Sequence, residues 1–588
     1  MDQKRLFLAI AISVVILLGF QMLLPTPKPV LPPAPVAGAP ASGGTAGSGT
    51  AIPAPSAGAV PNPALTAPSA AAGVPKEVPR VKIAGTRVDG SISLLGARID
   101  ELVLKGYREA APATAPLVKL LEPRSEKQPY YIQLGWSADT GTTAKLPGND
   151  TVWSGTGTVG PDSTAVLSWN NGEGLVFEIE VGLDTDYMFT LTQRVRNTTG
   201  APVALHPWAR IRRDSIPKVE GYYILHEGML GILDARLKEI TYDGAKSDGE
   251  KKAGLALEQS ATGGWLGFTD KYWLTAIIPD QKAANTAAVR HIKEGGADRF
   301  QVDFVFRDAI PVAAGATAST VWRAFAGATE VHLLDRYEET LGVTWFSYAV
   351  DWGWFFYITK PFFYAINWFY VLTGNFGVAI LIFTLIIKLA FFPLANKSYR
   401  SMSKMKLLAP KMTALREQYK DEPQKLQQAM MEMYRSEKVN PASGCLPIII
   451  QIPVFFALYK VIFTTIEMRH APFYGWIHDL SDIDPTNLFN LFGLLPFDPG
   501  QYSSFLHLGI WPLIMGVTMW GQMKLNPPPP DPIQAKVFAW MPVLFTFMLA
   551  SFPAGLVIYW TWNNLLTIGQ QWLIMRQTTL DKPQAARV

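Results

Sequence analysis

From Phe376 to Leu394 the chain reads FGVAILIFTLIIKLAFFPL, an apolar run of 19 residues with one Lys inside it and Thr384 a helical turn earlier. A helix needs roughly 20 apolar residues to span a bilayer. A Lys near its centre costs about 2.5–3.5 kcal/mol on insertion scales, so Lys388 is a functional candidate. The plain alternative is snorkelling to the headgroups. Lys397 lies roughly 13 Å further along a helix rising about 1.5 Å per residue, beyond the comfortable reach of a four-carbon stem. A water-filled, protein-lined recess is the expected setting.

Four more runs have this character: Leu446 to Ile466, Phe505 to Met523, the short Val537 to Phe552 with Pro542 inside it, and Gly555 to Met575. At the start, Leu6 to Leu24 is a 19-residue apolar run behind Lys4 and Arg5. It exceeds the roughly 7–15 residues of a signal-peptide core and reads as an uncleaved anchor, although the Ala-rich sequence beyond it offers cleavage sites. Six spans result. Residues 397 to 445 hold ten Lys or Arg against five Asp or Glu, whereas 467 to 506 hold one basic residue, Arg469, against five acidic ones. The positive-inside rule puts the first loop in the cytoplasm and the second outside, with both termini inside.

Between the anchor and the later spans the periodicity changes twice. Residues 25 to 79 are almost all Pro, Ala, Gly, Ser, Thr and Val, which cannot bury enough apolar area to offset chain entropy, and predict a disordered tether. From 80 to 335, two-residue alternation recurs between Gly, Asp and Asn turns, as in LVFEIEV (175 to 181) and FQVDFVF (300 to 306). An antiparallel β-sandwich outside the membrane is expected. Residues 345 to 374 hold 14 aromatics, interrupted by Asp351, Lys360, Pro361 and Asn367. Region 336 to 375 therefore predicts an amphipathic helix in the interface plane, with an extra span as the alternative.

The 588 residues are 49% hydrophobic and 17% charged, which fits a membrane protein with a large soluble part. A net charge of +4 gives no argument for nucleic-acid binding, and one cysteine, Cys445, excludes an internal disulfide framework. The chain has no phosphate-binding GxxxxGK[ST], HExxH or GxSxG, and no paired Cys or His ligands, so no enzyme chemistry, metal or cofactor is expected. His206, His226, His291 and His332 read as ordinary histidines of the β-region.

Two further patterns carry chemistry. In the basic loop, Tyr399, Met402, Met405, Leu408, Met412, Leu415 and Tyr419 recur at three- or four-residue intervals, with Lys404 and Lys406 among them. Leu426, Met430 and Met433 follow, and the stretch ends at Asn440 and Pro441. This predicts a helical hairpin, 396 to 445, whose Met residues suit varied apolar partners. Gluing the two helices together, or resting on anionic lipid, would use the same residues. The last span carries Tyr559, Thr561, Asn563, Asn564, Thr567, Gln570 and Gln571; Gln451, Tyr459, Lys460 and Thr464 lie in the third and Gln522 near the end of the fourth. Polar groups in membranes face protein or water. A groove of Lys388, Thr384, Gln451, Tyr459, Gln522, Tyr559, Asn563 and Asn564 accommodates them; interhelical glue is the alternative for the Asn and Gln residues.

GNFGVAILIFTLIIKLAFFPL, SMSKMKLLAPKM, EKVNPASGCLPIIIQIPVFFALY, APFYGWIHDLSDIDP, MPVLFTF and FPAGLVIYWTWNNLLTIGQQ resemble the YidC family of membrane-protein insertases, relatives of Oxa-type and Alb-type proteins. The anchor and GWLGFTDKYWLTAIIP (264 to 279) resemble its Gram-negative form; similarity there is looser, and 488 to 506 looks lineage-specific. The resemblance implies an α-helical polytopic protein with a five-helix core and a periplasmic β-supersandwich in the bacterial inner membrane. It also implies a hydrophilic groove open to cytoplasm and lipid, whose cation maps onto Lys388, where many bacterial members have Arg. The expected partners are nascent membrane proteins, the Sec translocon and lipid, with ribosome and targeting factors at the hairpin. The tail after Met575 holds only Arg576, Lys582 and Arg587, which does not favour tail-mediated ribosome contact. A transporter or channel for small polar solutes, or a carbohydrate-binding role of the β-domain, is the alternative reading.

Overall fold

The computed structural model describes residues 78–112, 114–139, 142–217, 225–420, 422–437, 446–497, 499–502, 506–526 and 532–580. The N-terminal anchor, nearly all of the tether, Cys445 and the Asn440–Pro441 break lie outside them. Strands Tyr130–Ser137 and Gly228–Leu233 are buried on both faces, whereas others alternate as the pattern predicts: in Leu175–Leu183 the buried positions are Leu175, Phe177, Ile179, Val181 and Leu183 and those between are half-buried. Such one-faced strands must pair their apolar faces, and they do so as two antiparallel sheets. One runs in spatial order Arg80–Ala84, Val88–Ser93, Arg98–Arg108, Tyr130–Ser137, Val203–Arg213, Ala297–Phe306, Ala284–Glu294, Leu255–Thr262. The other runs Ser154–Gly160, Ser163–Asn170, Leu175–Leu183, Met188–Asn197, Thr317–Ala328, Trp273–Ile278, Trp265–Thr269, Gly228–Leu233, Arg236–Thr241. A parallel pairing of Ile83 with Val159 joins them.

Aromatic rings from opposite sheets fill the space between: Trp136 meets Phe177 at 5.0 Å, Tyr130 meets Phe268 at 5.9 Å, and Phe306 stacks on Trp322 at 4.8 Å. The four histidines have local partners. His206 Nδ1 bonds Phe306 O at 2.9 Å, His226 Nε2 bonds Met229 O at 3.0 Å, His291 Nε2 bonds Asp298 at 2.9 Å, and His332 accepts from Asn367 at 2.9 Å.

Helix α1, Tyr242–Lys251, belongs to the sandwich and starts at Thr241, whose side chain accepts from Gly244 N–H. Helix α2, Val331–Leu341, leaves the last strand and stops at Gly342, whose φ of 66° suits glycine. Helix α3, Phe356–Thr373, occupies the aromatic region and packs on α4, Phe376–Ala390, through Phe362 and Phe383 at 4.8 Å. The helical part continues with α5, Phe392–Gln418, α6, Pro423–Ser436, α7, Leu446–Thr464, α8, Ile510–Leu525, α9, Pro532–Leu549, and α10, Ala554–Leu580.

The straight span expected from Phe376 to Leu394 is two helices: α4 ends at Ala390 and the chain turns by 66° into α5. Pro393 explains the break. It offers no N–H to the carbonyl of Leu389, and its ring crowds that carbonyl, so the helical ladder cannot run on past Ala390. Among the described residues no single helix is long and apolar enough to cross a membrane; the bent pair of α4 with Phe392–Leu408 reaches that mark by length and composition only.

The rim of the sandwich is fastened to the helices by polar contacts, most of them half-buried. Asp351 pairs with Lys460 of α7 at 2.7 Å and accepts from His226 N–H at 3.0 Å. Arg469 donates to Arg108 O at 2.7 Å and lies over the Trp273 ring at 5.3 Å. Glu467 accepts from Val331 N–H, at the start of α2, at 2.8 Å, while its other oxygen has no partner among the described residues. Burial, and then the carboxylates of Glu330 and Asp335, raise its pKa from 4.5 to about 7 against the opposing backbone hydrogen bonds. The folded junction thus holds this proton more tightly than the unfolded chain does. Its contribution to stability is full below the unfolded value of 4.5 and is lost as pH rises through about 7. Glu467→Gln is expected to flatten this dependence, read as hydrogen exchange of the α2 amides from about pH 5 to about pH 8. An unchanged slope in the variant would contradict the assignment.

Candidate functional site

The helical period sets out the site. Thr384 and Lys388 are one turn apart on α4; Tyr559, Asn563 and Thr567 repeat at four-residue steps on α10; Gln451, Val454 and Leu458 share a face of α7. Where these faces meet they enclose a recess of about 230 Å³, its open mouth included, lined by Thr384, Lys388, Gln451, Tyr559 and Asn563 together with Phe383, Ile387, Val454 and Leu458. Lys388 Nζ donates to Thr567 Oγ1 at 2.9 Å, and that hydroxyl donates to Asn563 O one turn back at 2.7 Å. Across the recess Gln451 Nε2 donates to Tyr559 OH at 2.5 Å. Thr384 satisfies its own hydroxyl on Ile380 O at 2.6 Å. Buried Asn563 Oδ1 has no partner among the described residues.

Charge separates Lys388 from the other lysine of these apolar helices. Lys460 has its carboxylate, Asp351, at 2.7 Å. Lys388 has a hydroxyl, and no acidic partner among the described residues. A cation held by a neutral oxygen in apolar surroundings retains attraction for an incoming anion that a formed ion pair has already used.

The remaining sequence-predicted groove residues lie elsewhere. Tyr459 is buried among the rings of Phe455, Phe463 and Phe552 at 5.6–6.1 Å. Asn564 Nδ2 donates to Thr518 Oγ1 at 3.2 Å and so ties α10 to α8. Gln522 is half-buried on α8, outside the lining of the recess. The partner of Lys388, Thr567, was among the polar residues of the last run but not in the predicted groove; the repeat 559, 563, 567 was the available signal.

The basic loop forms the α5–α6 hairpin. Tyr434 OH donates to Met412 Sδ at 3.7 Å, and Lys411 pairs with Glu437 at 2.6 Å. Met412 is buried in the hairpin, whereas Met402, Met405, Met430 and Met433 are half-buried and Lys404 and Lys406 exposed. Pro410 sits inside α5, which continues through it.

Residues 368–582 match the family described as 60Kd inner membrane protein, and residues 80–365 match the YidC periplasmic domain. The chain is 57% identical to the membrane protein insertase YidC of Granulibacter bethesdensis over 100% of both chains. It is 50% identical to that of Bradyrhizobium diazoefficiens, over 92% of this chain and 87% of the relative. A crystal structure of an active YidC insertase with its first transmembrane domain resolved aligns with 84% of this chain and 92% of its own, at 16% identity and a TM-score of 0.34. The periplasmic domain is thus the β-sandwich and the 60Kd region the helical part, and the chain belongs to the YidC family of inner-membrane protein insertases.

Proposed function

We propose that this chain inserts and helps fold inner-membrane proteins, alone or beside the Sec translocon, by letting the polar flank of a client helix visit a hydrated groove around Lys388. The apolar part of the client then slides along α7 and α9 into lipid. The observation that carries this reading is a lysine among apolar helices whose partner is a threonine hydroxyl at 2.9 Å. The charge asymmetry of the loops supports six spans, with the hairpin and both termini in the cytoplasm and the sandwich in the periplasm. Short helices such as α4, 15 residues or roughly 22 Å long, span less than the roughly 30 Å hydrocarbon core and favour a locally thinned bilayer.

The energetics need no nucleotide. A Leu-rich helix of roughly 20 residues enters lipid favourably by about 6–12 kcal/mol, while one acidic residue opposes it by about 3 kcal/mol. What is lacking is a low barrier for the polar flank. A wet half-path shortens the dry one, Lys388 supplies a transient counter-charge, and an outside-positive potential adds about 2.3 kcal/mol per negative charge per 100 mV. The purified full chain in vesicles should render a single-span client protease-protected without releasing trapped small polar solutes. Solute flux without client insertion would favour a transporter instead.

The α5–α6 hairpin, with its half-buried Met residues and exposed Lys404 and Lys406, is assigned to capturing nascent apolar segments and contacting ribosome or targeting factors. Deleting residues 400 to 435 should lower client insertion several-fold while leaving the thermal unfolding of the remaining bundle in place. Insertion at the full rate would remove the hairpin from the mechanism.

A further inference from the structure

Residues 488 to 497, between α7 and α8, read LFNLFGLLPF and carry no charge. In a loop facing water these side chains would fold inward. Instead Leu494 is 82% exposed and Leu491 52%, and Phe489, Phe492, Leu495 and Phe497 are exposed beside them. Six large apolar groups in one stretch mark a surface that something covers.

The construction of the loop points to the cover. Its base is closed: Leu488 N–H donates to Leu508 O at 2.8 Å and Asn487 Nδ2 to Leu506 O at 2.8 Å. Buried Asp484 grips both ends, accepting from Thr486 N–H at 3.0 Å and from Trp511 N–H, on α8, at 2.8 Å. At the tip, the amides of Phe489, Phe492, Gly493, Leu494, Leu495 and Phe497 all donate to oxygens of Asn487, Asn490, Leu491 or Leu495, and Pro496 has no amide to satisfy. To close these bonds Leu491 and Phe492 take left-handed φ values of 52° and 58°, unusual for bulky residues. The tip presents apolar side chains around Asn490, whose Nδ2 donates to Phe497 O at 3.3 Å, and these paired amides lower the cost of leaving water. Helix α8, which follows this loop, also exposes the apolar side chains of Val517 and Trp520.

We infer that residues 488–497 insert among the acyl chains of the outer leaflet and fix the depth of the α7–α8 corner. The partner is a lipid surface rather than a protein, because an uncharged tip whose exposed side chains are Phe and Leu offers little for specific polar pairing. The inference rests on the proposed orientation, in which this loop lies on the periplasmic side.

The test uses the full chain carrying Cys445→Ser and Leu494→Cys, in vesicles of phosphatidylethanolamine and phosphatidylglycerol. A second version carries Ser163→Cys, an exposed position on the sandwich, in place of Leu494→Cys. A bimane on position 494 should be quenched when the acyl chains are brominated, and its cysteine should react with a membrane-impermeant maleimide at least about tenfold more slowly than that at position 163. Equal reaction rates overturn the inference. Protection from maleimide without quenching by bromine also overturns it, since protein would then be the cover. Quenching with positions 163 and 494 on opposite faces of the vesicle would overturn the orientation and the outer-leaflet assignment, while leaving lipid insertion itself standing.

Discussion

Replacing Lys388 with Glu or Ala is expected to lower insertion of a client bearing one acidic residue in its short outer segment by roughly ten- to a hundredfold, the equivalent of about 1.4–3 kcal/mol. The charge, rather than the bulk, is at issue, because Lys388 contacts Thr567 through its ammonium and faces Gln451, Tyr559 and Asn563 across the recess. Glu reverses the attraction and should be worse than Ala for acidic clients. A client without acidic residues should be affected least. Lys388→Arg keeps a cation in place and should be tolerated; if it fails, proton release by the lysine is part of the cycle, since Arg holds its charge in almost any surroundings. Insertion of the acidic client at the wild-type rate by Lys388→Glu, measured by protease protection in vesicles, would remove the counter-charge from the mechanism.

The largest expected effect on stability lies far from the groove. Trp322 is fully buried in the sandwich, stacks on Phe306 at 4.8 Å and donates its indole N–H to Gln193 at 2.6 Å. Trp322→Ala should cost about 3–5 kcal/mol for the cavity, with about 1–3 kcal/mol more for the stranded Gln193 oxygen. Against a typical domain stability of about 5–15 kcal/mol, this leaves the periplasmic domain marginal. Limited proteolysis and thermal unfolding of the full chain should show its sandwich lost at a lower temperature than in the parent. Trp322→Phe, which keeps the stack but loses the donor, should fall between the two. Resistance to protease equal to the parent in Trp322→Ala would contradict the core assignment.

Which parts of this architecture were legible depended on how locally each was written. Alternation such as LVFEIEV fixes a strand and its buried face within seven residues, so the sandwich was foreseeable. Its pairing order was not, because Met188–Asn197 finds its neighbour in Thr317–Ala328, more than a hundred residues on. The apolar run around Lys388 was legible as a helix, whereas its break at Phe391 is signalled only by Pro393, which removes the hydrogen bond to Leu389 O. Hydropathy sums over a proline that backbone geometry cannot ignore. The recess was half legible: Thr384, Gln451, Tyr559 and Asn563 line it with Lys388. Tyr459, Gln522 and Asn564 differ only in which side of their helix they occupy, and polarity alone does not record that. Nor does it record that Asp351 neutralises Lys460 while Thr567 receives Lys388. Those pairings decide which lysine keeps its attraction for an anion, and they exist only once α4, α7, α10 and the segment holding Asp351 are assembled.

Site-specific photocrosslinking to a ribosome-stalled client tests the groove most directly. Probes at Thr384 and Gln451, beside Lys388, should capture the polar flank of the client, and probes on the recess-distal face of α8, such as Val517, should not. Capture from Val517 with none from Thr384 or Gln451 would mean that clients bypass the recess, and the proposed route through it would be wrong.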